Sequence, residues 1–171
     1  MPESDKHRDL YHASRAGEDT RVGELLEDGV EPDKYKDDDG YTALQRAAER
    51  GSHEIVSRLI KARADLNIQS NFGNTALHWA VFYGHNNVTS TLLEAGADFK
   101  IQNNDGKTVL HWAADRGNEE FVSKLLEAGA DPLLQDKEGK TPIQVAKTER
   151  IARLEYTSNP NVICTNYTMQ W

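Results

Sequence analysis

An all-α solenoid of helix-turn-helix units is the fold class that this 171-residue sequence predicts, on two observations. Thr42, Thr75, Thr108 and Thr141 stand 33 residues apart, and Gly51, Gly84 and Gly117 follow the first three at one fixed offset. The apolar pairs Leu59-Ile60, Leu92-Leu93 and Leu125-Leu126 keep the same phase, as do the stretches "ADLN", "ADFK" and "ADPL". A fixed period of this length means one supersecondary unit used repeatedly, each copy burying its apolar side only by stacking on the next.

Each element follows from local chemistry. An early copy, "LYHASRAGEDTRVGELLEDGVEPD", has Ala13, Gly17 and Leu25-Leu26 in register with a loop one residue longer, and its Asp9, Glu18, Asp19 and Arg21 suit a solvated N-terminal cap. In "DGKTPIQVA", Thr141 can cap orphan amides and Pro142 occupies the first helical position, where a missing N–H does no harm; Thr42, Thr75 and Thr108 are equivalent. A short first helix ends at Gly51, Gly84 or Gly117, where the chain reverses. The second helix presents Val88, Leu92 and Leu93 on one side, and Gly29, Gly96 and Gly129 end these helices in the left-handed conformation. Arg63 stands where those glycines stand elsewhere, so a side chain is expected in a conformation that penalises it. The last copy, "TPIQVAKTERIARLEY", lacks the Gly and has a shortened inter-helix loop, as fits a terminal unit.

The predicted boundaries are an N-terminal extension at 1–7, about three full repeats between capping repeats at 8–41, 42–74, 75–107, 108–140 and 141–156, and a tail at 157–171. In the tail, Asn159-Pro160 marks a turn, and Val162, Ile163, Tyr167, Met169 and Trp171 are apolar for a solvated end. It is read either as a lid over the last repeat or as a peptide motif for another protein.

"TALHWAVFYGH" and "TVLHWAADRGN", with the glycines and apolar pairs above, resemble the ankyrin repeat, whose pattern is G-x-T-P-L-H-x-A-A-x-x-G-H, an apolar helix and G-A-D. The resemblance covers residues 8 to 156. It implies partner binding by the hairpin tips and the exposed side of the first helices, which together line a concave face. It names no partner and no reaction.

Composition narrows the function. A hydrophobic content of 37% can supply a core, no stretch has the apolar length to cross a bilayer, and the start "MPESDKHRDL" lacks the pattern of a signal peptide. The single Cys164 cannot form an internal disulfide, which fits a reducing compartment. A cytoplasmic location, with the nucleus also open, and a free monomer are the expectations. Of the net charge of −8, residues 1 to 40 carry −7, with 13 acidic against 6 basic side chains. The remainder is nearly neutral and has no basic stripe, so nucleic acid is not an expected partner.

The chemistry-bearing side chains are absorbed by the repeat. His78 and His111 occupy the position where the resemblance implies a turn-bracing histidine, and Gln45 and Gln144 replace them in other copies, which suits hydrogen bonding better than proton transfer. Adjacent repeats put such positions about 10 Å apart, too far for a shared metal bound at about 2 Å. His53 and His85 also hold repeat positions. "YKDDDGYTALQR" has a calcium-like Asp-x-Asp-Gly, but the loop ends fall on Tyr35 and Arg46 where carboxylates are required, so Asp37, Asp38 and Asp39 are read as a solvated acidic loop. No nucleophile elbow, zinc-protease helix or phosphate-binding loop is present, and no cofactor, metal or catalytic residue is expected.

Function is therefore sought among positions that the repeat leaves free. The candidate partner-binding residues are Tyr41, Phe72, Asn74 and Lys107 at the tips, and Glu49, Arg50, Phe82, Tyr83, Asp115 and Arg116 on the first helices. Aromatic and arginine side chains are the types that dominate binding energy, since they join large contact area to directed polar groups. Trp79 and Trp112 share a phase beside them and are read as packing between repeats first, contacts second. The resemblance also implies a target for asparaginyl hydroxylation: Leu59, Asp65, Leu66 and Asn67 fit Leu-x5-Asp-apolar-Asn, with Asn67 as the modified residue. The expected function is a non-enzymatic adaptor for another protein, the alternative being an inhibitor that occludes an enzyme such as a kinase, or a transcription factor.

Overall fold

The computed structural model describes residues 3–148, 150, 151, 153 and 154, so the expected tail at 157–171 lies outside the described residues. The described residues contain helices and turns and no strand. Four helix pairs follow one another: α1 (Glu3–Ala16) with α2 (Asp19–Glu27), α3 (Ala43–Arg50) with α4 (His53–Lys61), α5 (Ala76–Tyr83) with α6 (Asn86–Glu94), and α7 (Val109–Arg116) with α8 (Glu119–Glu127). A short α9 (Pro142–Val145) opens the last unit.

The predicted punctuation is present. Thr42, Thr75, Thr108 and Thr141 are extended N-caps of α3, α5, α7 and α9, each in a reciprocal capping box with Gln45, His78, His111 and Gln144. Gly51, Gly84 and Gly117 end the first helices with φ of 80°, 74° and 76°. Arg63 is left-handed at φ 64° and is the non-glycine with positive φ among the described residues.

Stacking follows from two columns of leucine-sized side chains. Leu10, Leu44, Leu77, Leu110 and Ile143 recur on the first helices, and Leu25, Leu59, Leu92 and Leu125 on the second, all buried. Ala47, Ala80 and Ala113 keep the first helices thin where they meet. In the pair Leu92-Leu93 only Leu92 is fully buried, while Leu93 packs at the rim. Neighbouring turns are also stitched by backbone bonds across the tips, from Asn71 N to Asp39 O (2.9 Å), Asn104 N to Phe72 O (3.0 Å) and Lys137 N to Asp105 O (2.8 Å).

The ends differ from the expected boundaries. α1 begins at Glu3, so residues 3 to 7 continue the first repeat's helix instead of preceding it; no Pro or Gly stands between Glu3 and Asp9 to break it, and Asp5 pairs with Arg8 and Lys6 with Asp28. In the last unit the shortening falls on the helix: α9 stops after four residues, because Ala146 is extended at ψ 128°. Helix resumes at Arg150 and Ile151, and Ile151 is fully buried against the core.

Candidate functional site

Each hairpin tip is organised by one acceptor that recurs with the repeat. Asp37 Oδ1 accepts from the amides of Asp39 and Tyr41, Asn103 Oδ1 from those of Asp105 and Lys107, and Asp136 Oδ1 from those of Glu138 and Lys140. Ser70 does part of the same work, bonding the amide of Phe72. Asp37 is therefore no member of a solvated acidic loop. Its carboxylate also takes the Tyr11 hydroxyl and, at 2.7 Å, Arg46 Nη2. Burial alone would raise the Asp37 carboxyl; the bonds from Tyr11, Arg46 and the Tyr41 amide outweigh it and hold the group below its ordinary range.

That network decides the fate of two predicted tip residues. Tyr41 is only 6% exposed, its ring lying 3.9 Å from the Arg46 guanidinium and 5.6 Å from the Trp79 ring. Asn74 is 5% exposed and its Oδ1 accepts from Asn103 Nδ2 at 3.0 Å. Neither is a free tip: both turn inward because a neighbouring repeat supplies a partner. Lys107 is half-buried, its amide held by Asn103 and its carbonyl taken by His78.

The remaining candidates lie on the tip before α5 and on the first helices themselves. Phe72 and Tyr83 are 51% and 49% exposed, the most exposed large apolar side chains among the described residues. Phe82 is half-buried, with its ring 5.1 Å from Trp112 and 6.0 Å from Trp79, and the Arg116 guanidinium 3.7 Å from its centroid. Tyr83 stacks on Trp79 at 6.2 Å, and Phe72 meets Tyr41 at 6.4 Å. A continuous ribbon of rings thus runs from the tip at Phe72 through Tyr41 and Trp79 to Tyr83, Phe82 and Trp112. Trp79 and Trp112 touch edge to face at 5.8 Å, so they pack between repeats as expected and also floor this ribbon.

The charged candidates divide. Arg116 joins the ribbon and Asp115 beside it is exposed. Glu49 is half-buried and engaged by Arg46 Nη1 at 2.8 Å. Arg50 is exposed but lays its guanidinium across Gly17 of the first repeat, away from the rings. Asn67 is exposed after α4, and its Oδ1 accepts from the Asp98 amide at 2.8 Å. Sequence reasoning missed the structural part played by Arg46, and the recurrence of Asp37, Ser70, Asn103 and Asp136 at 33-residue spacing was the signal that could have found its partner.

His78 and His111 are buried braces. Their Nδ1 atoms accept from the Thr75 and Thr108 amides at 3.3 and 3.2 Å, and their Nε2 atoms reach the Lys107 and Lys140 carbonyls. His53 and His85 bridge repeats too, to Thr91 Oγ1 and the Glu49 carbonyl. Among the described residues no group of three His, Cys, Asp or Glu is arranged to hold a metal ion, and no helix is long and apolar enough to cross a membrane.

A family model described as ankyrin repeats (3 copies) matches residues 10–103 and 92–157. A putative ankyrin repeat-containing protein of Treponema pallidum (strain Nichols) is 34% identical over 64 residues, which are 37% of this chain and 22% of that protein. The aligned segment thus spans under a quarter of that relative's length.

Proposed function

As the chain belongs to the ankyrin-repeat family, we propose that it is a non-enzymatic adaptor that binds another protein through the concave face of its stack. Ankyrin repeats generally serve as protein–protein interaction modules. The observation that carries the reading is the half-exposed pair Phe72 and Tyr83 on one continuous aromatic ribbon. Apolar rings left in water on a rigid, repeat-built surface suit a partner that removes them from it. The docking set is Phe72, Phe82, Tyr83, Asp115 and Arg116, with Glu49, Arg50 and Lys107 at its rim. Tyr41 and Asn74 support it from beneath.

The protein works as a free monomer in the cytoplasm or nucleus, where a lone Cys164 stays reduced. Asn67, exposed after α4, is its site for asparaginyl hydroxylation. A peptide carrying Asn67 from cells should show a mass gain of one oxygen, and its lasting absence with active hydroxylase present would remove that assignment.

A photo-crosslinking residue placed at Tyr83 tests the interface, with one at the exposed Lys61 as control. The expected result is a discrete crosslinked protein from Tyr83 alone. Equal labelling from both positions would defeat the concave-face reading. An activity assay on the captured protein then separates adaptor from inhibitor, since only an inhibitor lowers its partner's activity.

A further inference from the structure

Repeat-equivalent positions on the three central first helices differ in a way that defines what can dock. At the inner position stand Arg46, Trp79 and Trp112; one turn on stand Glu49, Phe82 and Asp115; at the helix end stand Arg50, Tyr83 and Arg116. The middle repeat is aromatic at all three, and each neighbour places an acidic residue and an arginine beside it.

The charges are not equally available. Glu49 is already taken by Arg46, and Arg46 is shared among Asp37, Glu49 and the Tyr11 hydroxyl. Arg50 faces the first repeat. Arg116 is different: it is exposed, it has no salt bridge among the described residues, and its guanidinium lies 3.7 Å from the centre of the Phe82 ring. A guanidinium resting on a ring keeps its in-plane N–H donors free while its rotamers are already restricted, which suits a planar two-oxygen acceptor. Lys147, exposed beside Gly117 with its amide bonded to the Ala114 carbonyl at 3.0 Å, adds a second cation on this side. On the same helix the neighbouring Asp115 carboxylate is exposed and makes no salt bridge with Arg116.

We infer that Arg116, held on Phe82, is the anchor for a carboxylate of the partner, so that the surface recognises a protein segment in which an Asp or Glu lies next to a large apolar side chain. The apolar group covers Tyr83 and the exposed edge of the ribbon, and the carboxylate meets the guanidinium fork. This rests on the concave face being the docking surface.

The test is selection of random displayed 12-residue peptides on the immobilised full chain, with Arg116→Glu, Arg116→Lys and Tyr83→Ala as parallel baits, each checked by circular dichroism and thermal melting. Expected are wild-type pools rich in Asp or Glu within a few residues of Leu or an aromatic residue. A fixed peptide from that pool should lose about tenfold or more in affinity for Arg116→Glu, and most of that loss should also appear in Arg116→Lys, which keeps the charge and lacks the fork. Loss with Tyr83→Ala but not with Arg116→Glu overturns the anchor and leaves the interface standing. Retention by a folded Tyr83→Ala overturns the interface itself. Pools rich in Lys or Arg, or no enrichment on folded wild type, also overturn the inference.

Discussion

The imidazole of His78 reaches across a repeat boundary, its Nε2 lying 3.3 Å from the carbonyl oxygen of Lys107. Nδ1 accepts from the Thr75 amide, so Nε2 carries the proton and the ring is neutral. One side chain thereby caps its own helix and fixes the next hairpin.

Burial pushes the His78 pKa down to about 4, and His111 is lowered for the same reason. The unfolded chain titrates near 6.5, so below that value it binds protons that the folded chain refuses. Stability from this source is complete above about pH 6.5 and is lost as pH falls toward 4, with His78 alone costing on the order of 2 kcal/mol by pH 5. Gln45 already makes the same contacts without a titrating group, accepting from the Thr42 amide at 2.9 Å and donating to Ile68 and Asn74 carbonyls. The double variant His78→Gln, His111→Gln should therefore melt at nearly one temperature between pH 7 and pH 5 while the parent drops. Parallel curves for the two proteins would refute this account.

Arg46 binds three groups of two repeats at once: the Tyr11 hydroxyl at 2.8 Å, Asp37 at 2.7 Å and Glu49 at 2.8 Å, with Tyr41 beneath it. Its side chain is 14% exposed, so these bonds are poorly screened. Lysine offers charge without the fork and strands at least one acceptor, so Arg46→Lys should cost about 2 kcal/mol or more in urea unfolding. Arg21→Lys, at the solvent-facing pair with Asp9, should leave the midpoint near the parent's. Equal effects would mean that the Arg46 network is no more than a surface ion pair.

The repeat was legible because its determinants are local. A capping Thr, a left-handed Gly and an apolar pair act within a few residues, so a single copy states the rule and the 33-residue period verifies it. The surface was only partly legible, since exposure depends on what the neighbouring repeat supplies. Asn74 reads as a free tip until Asn103 is seen bonded to it, and Tyr41 until Arg46 is seen stacked on it. Phe72 and Tyr83 were found because no adjacent copy offers them a partner that covers them.

Backbone conformation gives two opposite predictions. Arg63 is left-handed at φ 64°, where a Cβ is penalised, so Arg63→Gly should raise stability by about 1 kcal/mol. Gly73 has φ 79°, and a Cβ there would lie 2.5 Å from Asn104 N and 2.6 Å from its Oδ1, against the tip that bonds to Phe72. Gly129 has φ 88° with nothing within 4 Å of such a Cβ. Gly73→Ala should therefore lower the melting temperature clearly further than Gly129→Ala, whose cost is the backbone term alone. A destabilised Arg63→Gly would contradict the conformational argument, and matched losses at the two glycines would contradict the close approach.

The aromatic ribbon separates side chains that hold the stack from side chains that only face water. Tyr83 and Phe72 are half in solvent, so removing either ring deletes little burial, and Tyr83→Ala or Phe72→Ala should cost below about 1 kcal/mol. Phe82 was grouped with Tyr83 by sequence as an exposed contact, yet it is wedged between Trp79, Trp112 and the Arg116 guanidinium. Phe82→Ala should cost about 1–3 kcal/mol and expose Trp112, which a red shift of tryptophan emission would report. Leu92, fully buried in the second-helix column, sets the scale at about 2–5 kcal/mol for Leu92→Ala. Urea unfolding of the four variants at a common slope should give the order Leu92, Phe82, then Tyr83 and Phe72. Should Tyr83→Ala fall as far as Leu92→Ala, its ring is part of the core, and the stack has no aromatic surface to spare for a partner.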